Sequence, residues 1–162
     1  MDPIETKHLK TVIEKHTRDM TGRVVAITGT TSGTGFVCAR ELAKLGATVL
    51  LLNRESPRAT ASLADLKAAV PGGKFEAIPC DLQSFASVRA AAGAIRAKFD
   101  RLDVLCNNAA VMAFPDQATG DGYDVQMQTN AISAFLLTNE LMGLLRKSDD
   151  GRVVNHSSNA RR

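Results

Sequence analysis

The stretch VVAITGTTSGTGFVCARELAKLGA at residues 24–47 joins an apolar run to an amphipathic segment through a glycine-rich turn. The run at 23–28 holds two valines, an isoleucine and a threonine, which predicts a buried strand. Apolar residues at helical spacing then predict a helix over residues 35–45. A strand that leads through glycines directly into a helix is typical of a phosphate-binding site.

Beyond this unit the chain keeps alternating between short apolar runs and amphipathic segments. The further predicted strands cover residues 47–53, 74–80, 102–108 and 151–158. Helices are predicted after the capping residues Ser56 and Ser84, and over residues 123–146, with a loop at 114–122. Five strands that alternate with helices predict an α/β fold, a doubly wound parallel sheet of the Rossmann type with about five strands.

Composition excludes several classes of protein. The 162 residues carry a net charge of only +3 and include one Tyr and no Trp, which argues against nucleic-acid binding through base stacking. The three cysteines form no CxxC pair, so we expect small buried side chains rather than a metal site or a disulfide framework. The charged N-terminus is unlike a signal peptide, and no apolar run approaches the roughly 20 residues that span a bilayer. We therefore expect a cytoplasmic protein.

The glycine-rich turn is the first candidate binding element. Glycines bring backbone N–H groups close to an anion, and the following helix adds its positive N-terminal dipole, so a pyrophosphate fits here. The spacing differs from Gly-x-Gly-x-x-Gly, and by itself a purely structural turn would explain it equally well. Its place between strand and helix favours binding. The candidate residues in this turn are Gly29, Thr31, Ser32, Gly33, Thr34 and Gly35.

The end of the second strand carries Asn53 and Arg54 where an NAD-preferring site usually has an acidic residue for the ribose hydroxyl. A guanidinium can pair with the 2′-phosphate of NADP through charge-assisted hydrogen bonds. We therefore predict NADP as the cofactor, with NAD as the less favoured one. The alternative is that Arg54 is an ordinary solvated surface arginine.

Five motifs, in order along the chain, resemble those of the short-chain dehydrogenase/reductase family. They are TGTTSGTG at 28–35, CDLQS at 80–84, CNNAAV at 106–111, QTNAISAFLLT at 128–138 and RVVNHSS at 152–158. A looser similarity points to the branch that holds retinol dehydrogenases and protochlorophyllide reductases. Under this resemblance residues 23–162 form the dinucleotide-binding domain. Ahead of it, apolar residues at helical spacing predict an N-terminal amphipathic helix over residues 1–22.

The resemblance implies roles at the ends of the third and fourth strands. Asp81 would bind the adenine amino group, with Leu82 beside it. Asn108, Ala109 and Ala110 would support the sheet and touch the cofactor at the end of the fourth strand.

The resemblance also implies two catalytic residues in this chain. Ser158 would hydrogen-bond the substrate carbonyl, and Asn130 would hold the long helix and a water in a proton relay. The family's Tyr-x-x-x-Lys follows the serine, but the chain ends at Arg162, and its only tyrosine, Tyr123, has Met127 four residues later. The family's C-terminal strands are missing for the same reason.

The sequence therefore predicts an NADP-dependent oxidoreductase for a carbonyl or alcohol substrate, here without the Tyr-x-x-x-Lys segment. The alternative is a non-catalytic dinucleotide-binding module or an inactive fragment. The resemblance also implies a homo-oligomer that forms through the helix at 123–146, because members of the family often assemble through it. One departure from the family is His156, which replaces an apolar residue in the last predicted strand and would need a polar partner or water there.

Overall fold

The computed structural model describes Thr11, Lys15, residues 17–113 and residues 115–158. Most of the predicted N-terminal helix over 1–22 lies outside these residues. Its last part is corrected, because residues 17–20 are not helical. Within the described part of the chain, no helix is long and apolar enough to cross a bilayer.

A five-stranded sheet forms the centre of the structure. All strand pairs are parallel, and the spatial order is β3-β2-β1-β4-β5. The strands are β1 (Val24–Thr28), β2 (Thr48–Asn53), β3 (Lys74–Pro79), β4 (Val104–Asn107) and β5 (Arg152–Asn155). The winding direction reverses between β1 and β4, so the predicted doubly wound Rossmann-type sheet is confirmed.

Helices cover the sheet on both faces. They are α1 (Gly33–Lys44), α2 (Pro57–Ala69), α3 (Phe85–Lys98), α4 (Val125–Met127) and α5 (Ser133–Leu145). The two predicted caps are confirmed, because Ser56 accepts a hydrogen bond from the Ala59 amide and Ser84 accepts one from the Ser87 amide. Each cap satisfies an amide that the first helical turn leaves without a partner.

The predicted single helix over 123–146 is wrong in its middle. A π-helical turn at Gln128–Ile132 separates α4 from α5. A π turn adds one residue to the helical repeat, which apolar periodicity does not reveal. Its first residue, Gln128, is fully buried and donates to Asp121 at 2.7 Å, which fixes the turn to the preceding loop.

Two apolar layers hold the sheet between the helices. One layer joins α1 and α2 to the sheet around Ile27, Leu51 and Leu66, and the other joins α3 and α5 to it around Leu105 and Leu141. These side chains are at most 2% exposed. Because β1 and β2 are covered on both faces, their sequences are continuously apolar rather than alternating.

Strand β5 is shorter than predicted and lies exposed at the edge of the sheet. It ends at Asn155 instead of continuing to 158, and all four of its residues are exposed. His156 therefore lies beyond the strand and is exposed, which corrects its expected burial within the sheet. Its backbone N–H still donates to the Asn107 carbonyl at 3.0 Å, so the chain continues beside β4 for one residue.

Candidate functional site

A cleft of about 1190 Å³ opens at the carboxyl ends of the strands, above the point where the winding reverses. This is the position where open α/β sheets bind their ligands. Of the fourteen predicted site residues, all but one line this cleft. They are Gly29, Thr31, Ser32, Thr34, Gly35, Arg54, Asp81, Leu82, Asn108, Ala109, Ala110, Asn130 and Ser158.

Gly33 is the predicted site residue that does not line the cleft. It is exposed, has φ of 59°, and begins α1, two residues earlier than the sequence predicted. Apart from its own chain neighbours and the backbone of α1, none of the described residues has an atom within 4 Å of where a Cβ would stand. The capping residue Ser32 makes no side-chain hydrogen bond to the helix. The first-turn amides of α1 therefore receive no side-chain cap from Ser32.

The other two glycines are required by close packing. A Cβ on Gly35 would stand 2.2 Å from the Gly29 carbonyl oxygen and 2.5 Å from the Asn108 side-chain nitrogen. A Cβ on Gly29 would stand 2.9 Å from the Cα of Ala109. Real Cβ atoms are not found at such distances from backbone, so both positions accept only glycine without a shift of the turn.

Asn53 fixes the glycine-rich turn from the end of β2. Its side-chain oxygen accepts from the Thr30 amide, and its nitrogen donates to the Thr30 hydroxyl, both at 2.8 Å. Ser62 of α2 donates to the Thr30 carbonyl at 2.9 Å. Sequence reasoning treated Asn53 only as a missing carboxylate. Its positioning role was not predicted, since Thr30 lies far from it in sequence.

Thr28 and Asn108 join the glycine-rich turn to the loop after β4. The Thr28 hydroxyl accepts from the amides of Asn108 and Ala109, both at 3.0 Å. The Asn108 side-chain nitrogen donates to the carbonyls of Thr28 and Gly29 at 2.9 and 3.1 Å. Thr28 also was not predicted as a site residue.

His156 extends this network to the segment after β5. Its Nδ1 lies 3.1 Å from the side-chain oxygen of Asn108. The Asn108 nitrogen is committed to two carbonyls, so its oxygen faces the imidazole as an acceptor. His156 Nδ1 must therefore carry a proton and donate it. The polar partner that the sequence required is Asn108.

Asn130 occupies the π-helical turn and fastens the loop after β4. Its side-chain oxygen accepts from the Val111 amide and its nitrogen donates to the Val111 carbonyl, both at 2.8 Å. π turns inside helices are frequent at functional sites. Among the described residues, two buried atoms of cleft-lining side chains lack a partner, the Asn107 oxygen and the Thr129 hydroxyl. Such groups call for water or a ligand.

Two arginines line the cleft beyond β2. Arg54 was predicted and Arg58 was not, although its place in the first turn of α2 sets it beside the turn. Arg58 donates to the Ser32 hydroxyl at 2.6 Å. Across the ranges that the structure covers, the salt bridges within 4.0 Å involve neither guanidinium. This end of the cleft is therefore positively charged.

The family profile of the short chain dehydrogenases matches residues 23–162, which contain the whole sheet and cleft. The chain belongs to the short chain dehydrogenase family. The predicted family resemblance is confirmed, and the motif residues that carry it meet at the cleft.

Relatives of the chain include retinol dehydrogenases, as the looser similarity predicted. Retinol dehydrogenase 13 of Mus musculus is 37% identical over 137 residues, which is 85% of this chain and 41% of that protein. Retinol dehydrogenase 14 of Homo sapiens is 38% identical over 152 residues, with 86% and 45% covered. The chain thus spans less than half the length of the curated relatives it matches.

Solved structures of similar proteins share the fold. The Pseudomonas aeruginosa RhlG/NADP active-site complex is 32% identical with a TM-score of 0.68, over 85% of this chain and 56% of that one. The fold of this chain is therefore found in a relative whose structure contains NADP.

Proposed function

We propose that this chain binds NADP(H) and forms the cofactor-binding part of an oxidoreductase for a carbonyl or alcohol substrate. The observation that carries the proposal is the composition of the cleft. The cleft contains the glycine-rich turn, the first turn of α1 without a side-chain cap from Ser32, and the two arginines beyond β2. It lies where the winding direction of the sheet reverses, between β1 and β4.

The residues present fit a dinucleotide phosphate. The diphosphate would lie at the turn over residues 29–35, where the amides of the first turn of α1 and the helix dipole favour an anion. The adenine would lie beside Asp81 and Leu82 at the end of β3. The carboxylate of Asp81 is held by the Gln83 amide at 2.9 Å, so it is already oriented.

Preference for NADP is proposed from Arg54 and Arg58. Both guanidinium groups line the cleft beyond β2, and Glu55 between them is not a lining residue. A 2′-phosphate would bring two negative charges to this end, where a guanidinium can bind it bidentately. The NADP complex among the structural relatives supports this preference.

The substrate would lie toward the ends of β4 and β5. The bound cofactor would supply or accept a hydride. Ser158 lines this part of the cleft, and its hydroxyl would hydrogen-bond the substrate oxygen. Asn130 would keep the loop at Val111 in place through its two backbone hydrogen bonds. A fixed donor aimed at the reacting oxygen stabilises charge in the transition state.

A second candidate function is a dinucleotide-binding module without turnover. The observation in its favour is the position of Tyr123, which packs against Phe85 with ring centroids 5.5 Å apart and does not line the cleft. No lysine is among the cleft residues within the described part of the chain. General acid catalysis typically contributes about 100- to 10,000-fold in rate. A cleft without a tyrosine or lysine among the described residues would therefore catalyse the reaction much more slowly.

Fluorescence titration with NADPH and NADH tests the proposal. We expect saturable NADPH binding that is tighter than NADH binding, and NADPH oxidation with a panel of aldehydes and ketones only from a chain that also carries the Tyr-x-x-x-Lys segment. Binding without oxidation by such a chain supports the second candidate. Failure of a folded chain to bind either dinucleotide contradicts both.

An association of two copies through α5 also remains a proposal. Phe135 on this helix is 75% exposed, which is unusual for a large apolar side chain and fits a contact surface. Light scattering should show a dimer that Phe135→Asp converts to a monomer. The cytoplasmic location stays a prediction from the sequence.

A further inference from the structure

His156 lines the part of the cleft at the ends of β4 and β5, away from the other charged groups of the cleft. Among the described residues that line the cleft, Arg54, Arg58 and Asp81 are charged, and all three follow β2 or β3. The lining residues that follow β4 and β5 have amide, hydroxyl or apolar side chains apart from His156. Within the described chain, this imidazole is therefore the ionisable group at the β4 and β5 end.

A hydrogen bond to Asn108 fixes which ring nitrogen carries the proton. His156 Nδ1 lies 3.1 Å from the side-chain oxygen of Asn108, and an amide oxygen can only accept. The amide is held in this orientation because its nitrogen donates to the carbonyls of Thr28 and Gly29. In a neutral imidazole one nitrogen donates and the other accepts. With the proton on Nδ1, Nε2 becomes a hydrogen-bond acceptor.

The acceptor at Nε2 has no partner in the described part of the protein. His156 is exposed, and Asn108 is the one described residue with which its side chain forms a hydrogen bond. The lone pair of Nε2 points away from the Nδ1–H bond, so Nε2 faces away from Asn108. Because His156 lines the cleft, Nε2 is available to a ligand there.

The place of His156 in the cleft indicates which part of a ligand it would meet. The inference rests on the proposed function, in which the adenine lies at the end of β3 and the diphosphate at residues 29–35 of the turn after β1. The second ribose of the dinucleotide would then extend toward β4 and β5, the remaining strands of the sheet. His156 is joined to the turn through Asn108, which bonds the Gly29 carbonyl. A ribose attached to the diphosphate would therefore lie near the imidazole.

We propose that His156 is a cofactor-binding residue whose Nε2 accepts a hydrogen bond from a hydroxyl of the nicotinamide ribose. An acceptor selects a group that donates, and the ribose hydroxyls are such groups. The apolar residue that the family has at this position could make neither this bond nor the bond to Asn108. An alcohol substrate would also present a hydroxyl, so the experiment has to distinguish the two sources.

Imidazole nitrogen shifts of the ¹⁵N-histidine-labelled chain test the tautomer and the contact together, at pH 8, above the usual histidine pKa of about 6.5. We expect a protonated Nδ1 and an unprotonated Nε2 at His156. Saturation with NADPH should move the Nε2 signal toward the protonated value. The fragment 2′,5′-ADP, which has no nicotinamide ribose, should leave that signal unmoved.

Three results of this titration would overturn the proposal. They are a proton on Nε2, an unmoved Nε2 signal at saturation with NADPH, and a shift that 2-propanol produces but NADPH does not. Failure of the folded chain to bind either ligand contradicts the proposed function and this inference with it. NADPH binding with an unmoved Nε2 contradicts this inference alone.

Two substitutions separate ribose binding from support of the turn through Asn108. His156→Leu should weaken NADPH binding by about 3- to 10-fold, as expected for one lost hydrogen bond, and leave the affinity for 2′,5′-ADP unchanged. His156→Gln, which keeps a donor and an acceptor, should recover part of the loss. Both variants change an exposed side chain, so the fold should be retained. Equal losses of affinity for the two ligands would assign His156 a structural role and overturn the proposal.

Discussion

The amino ends of the strands (the amino edge) and the carboxyl ends (the carboxyl edge) differ in how completely their buried polar groups are hydrogen-bonded. At the amino edge, the Asp103 carboxylate is 1% exposed and accepts from four groups on β1 and the surrounding loops. These are Arg23 at 2.7 Å, the Val24 amide at 2.8 Å, Ser148 at 2.7 Å and Arg101 at 3.4 Å. The buried carboxylate at the amino edge is therefore fully hydrogen-bonded within the protein.

At the carboxyl edge, some hydrogen-bonding atoms and charged groups have no protein partner among the described residues. The Asn107 oxygen and the Thr129 hydroxyl lack partners among the described residues, and the cleft-lining Arg54 and Arg58 belong to no ion pair there. Buried polar groups are normally satisfied, so unsatisfied ones are expected where a ligand or water completes them. The amino edge is therefore structural, and the carboxyl edge is the proposed binding edge. Substitutions at the amino edge should change stability, and substitutions at the carboxyl edge should change cofactor affinity.

Gly35→Ala should have the largest effect, because it acts on both properties. The new methyl would stand 2.2 Å from the Gly29 carbonyl oxygen, and neither group is the end of a flexible side chain. We expect a loss of about 3 kcal/mol or more in urea unfolding, together with loss of NADPH binding.

Gly143→Ala is the matched control for that substitution. Gly143 lies exposed inside α5, and apart from its chain neighbours and the helix backbone no described residue has an atom within 4 Å of the added methyl. Alanine should stabilise the chain there by about 0.5–1 kcal/mol. Equal effects at the two positions would show that the packing of Gly35 is unimportant.

Asp103→Ala should destabilise the chain by about 2–3 kcal/mol without changing NADPH affinity, because it leaves buried donors unpaired at the structural edge. Asp149→Ala, at an exposed carboxylate on the same edge, should cost little. An altered affinity in Asp103→Ala, measured at equal folded fraction, would contradict the separation of the two edges.

Asp103 also makes stability depend on pH. Burial raises its pKa, but the Val24 amide, Ser148 and Arg23 together lower it to about 2, below the usual aspartate pKa of 3.8. The stabilisation is fully present above about pH 4 and is lost as pH falls toward 2, with about 2 kcal/mol at stake. Urea midpoints between pH 5 and 2 should show this slope in wild type and a smaller one in Asp103→Ala.

The sequence predicted the features that depend on neighbouring residues and missed those that depend on contacts between distant parts of the chain. Strand–turn–helix order follows from local patterns, so the sheet and the glycine-rich turn were predicted within a few residues. The π turn at Asn130 and the end of β5 at Asn155 were not predicted, because they depend on contacts across the fold. The roles of Asn53 and Arg58 were not predicted for the same reason, since their partners are distant in sequence.

Gly33 does not line the cleft itself, but it begins the first turn of α1 between the cleft-lining Ser32 and Thr34, and valine would strain its positive φ. Gly33→Val should therefore weaken NADPH binding by about 100-fold, the equivalent of two lost charge-assisted hydrogen bonds of about 1.5 kcal/mol each. Gly72→Val is the control, because Gly72 also has a positive φ and open space around it but lies in a turn away from the cleft. Both variants should lose similar stability, and Gly72→Val should keep its affinity. Parallel losses of affinity would assign the effect to strain alone.

Arg54→Asp should have the smallest of these effects, and only on selectivity. Replacing a guanidinium by a carboxylate should lower the ratio of NADPH to NADH affinity by about 10- to 100-fold. Arg146→Asp, at an exposed residue outside the cleft, should leave the ratio unchanged. If Arg54→Asp also leaves it unchanged, Arg54 is a solvated surface residue.

The most direct test of the account follows the backbone amides by ¹H–¹⁵N NMR during titration with NADPH. The account predicts saturable shifts that are largest for the amides of residues 29–35, with the Val24 amide at the opposite edge unmoved. Saturation of the chain by NADPH with unmoved amides at 29–35 would contradict the central claim that this turn binds the diphosphate.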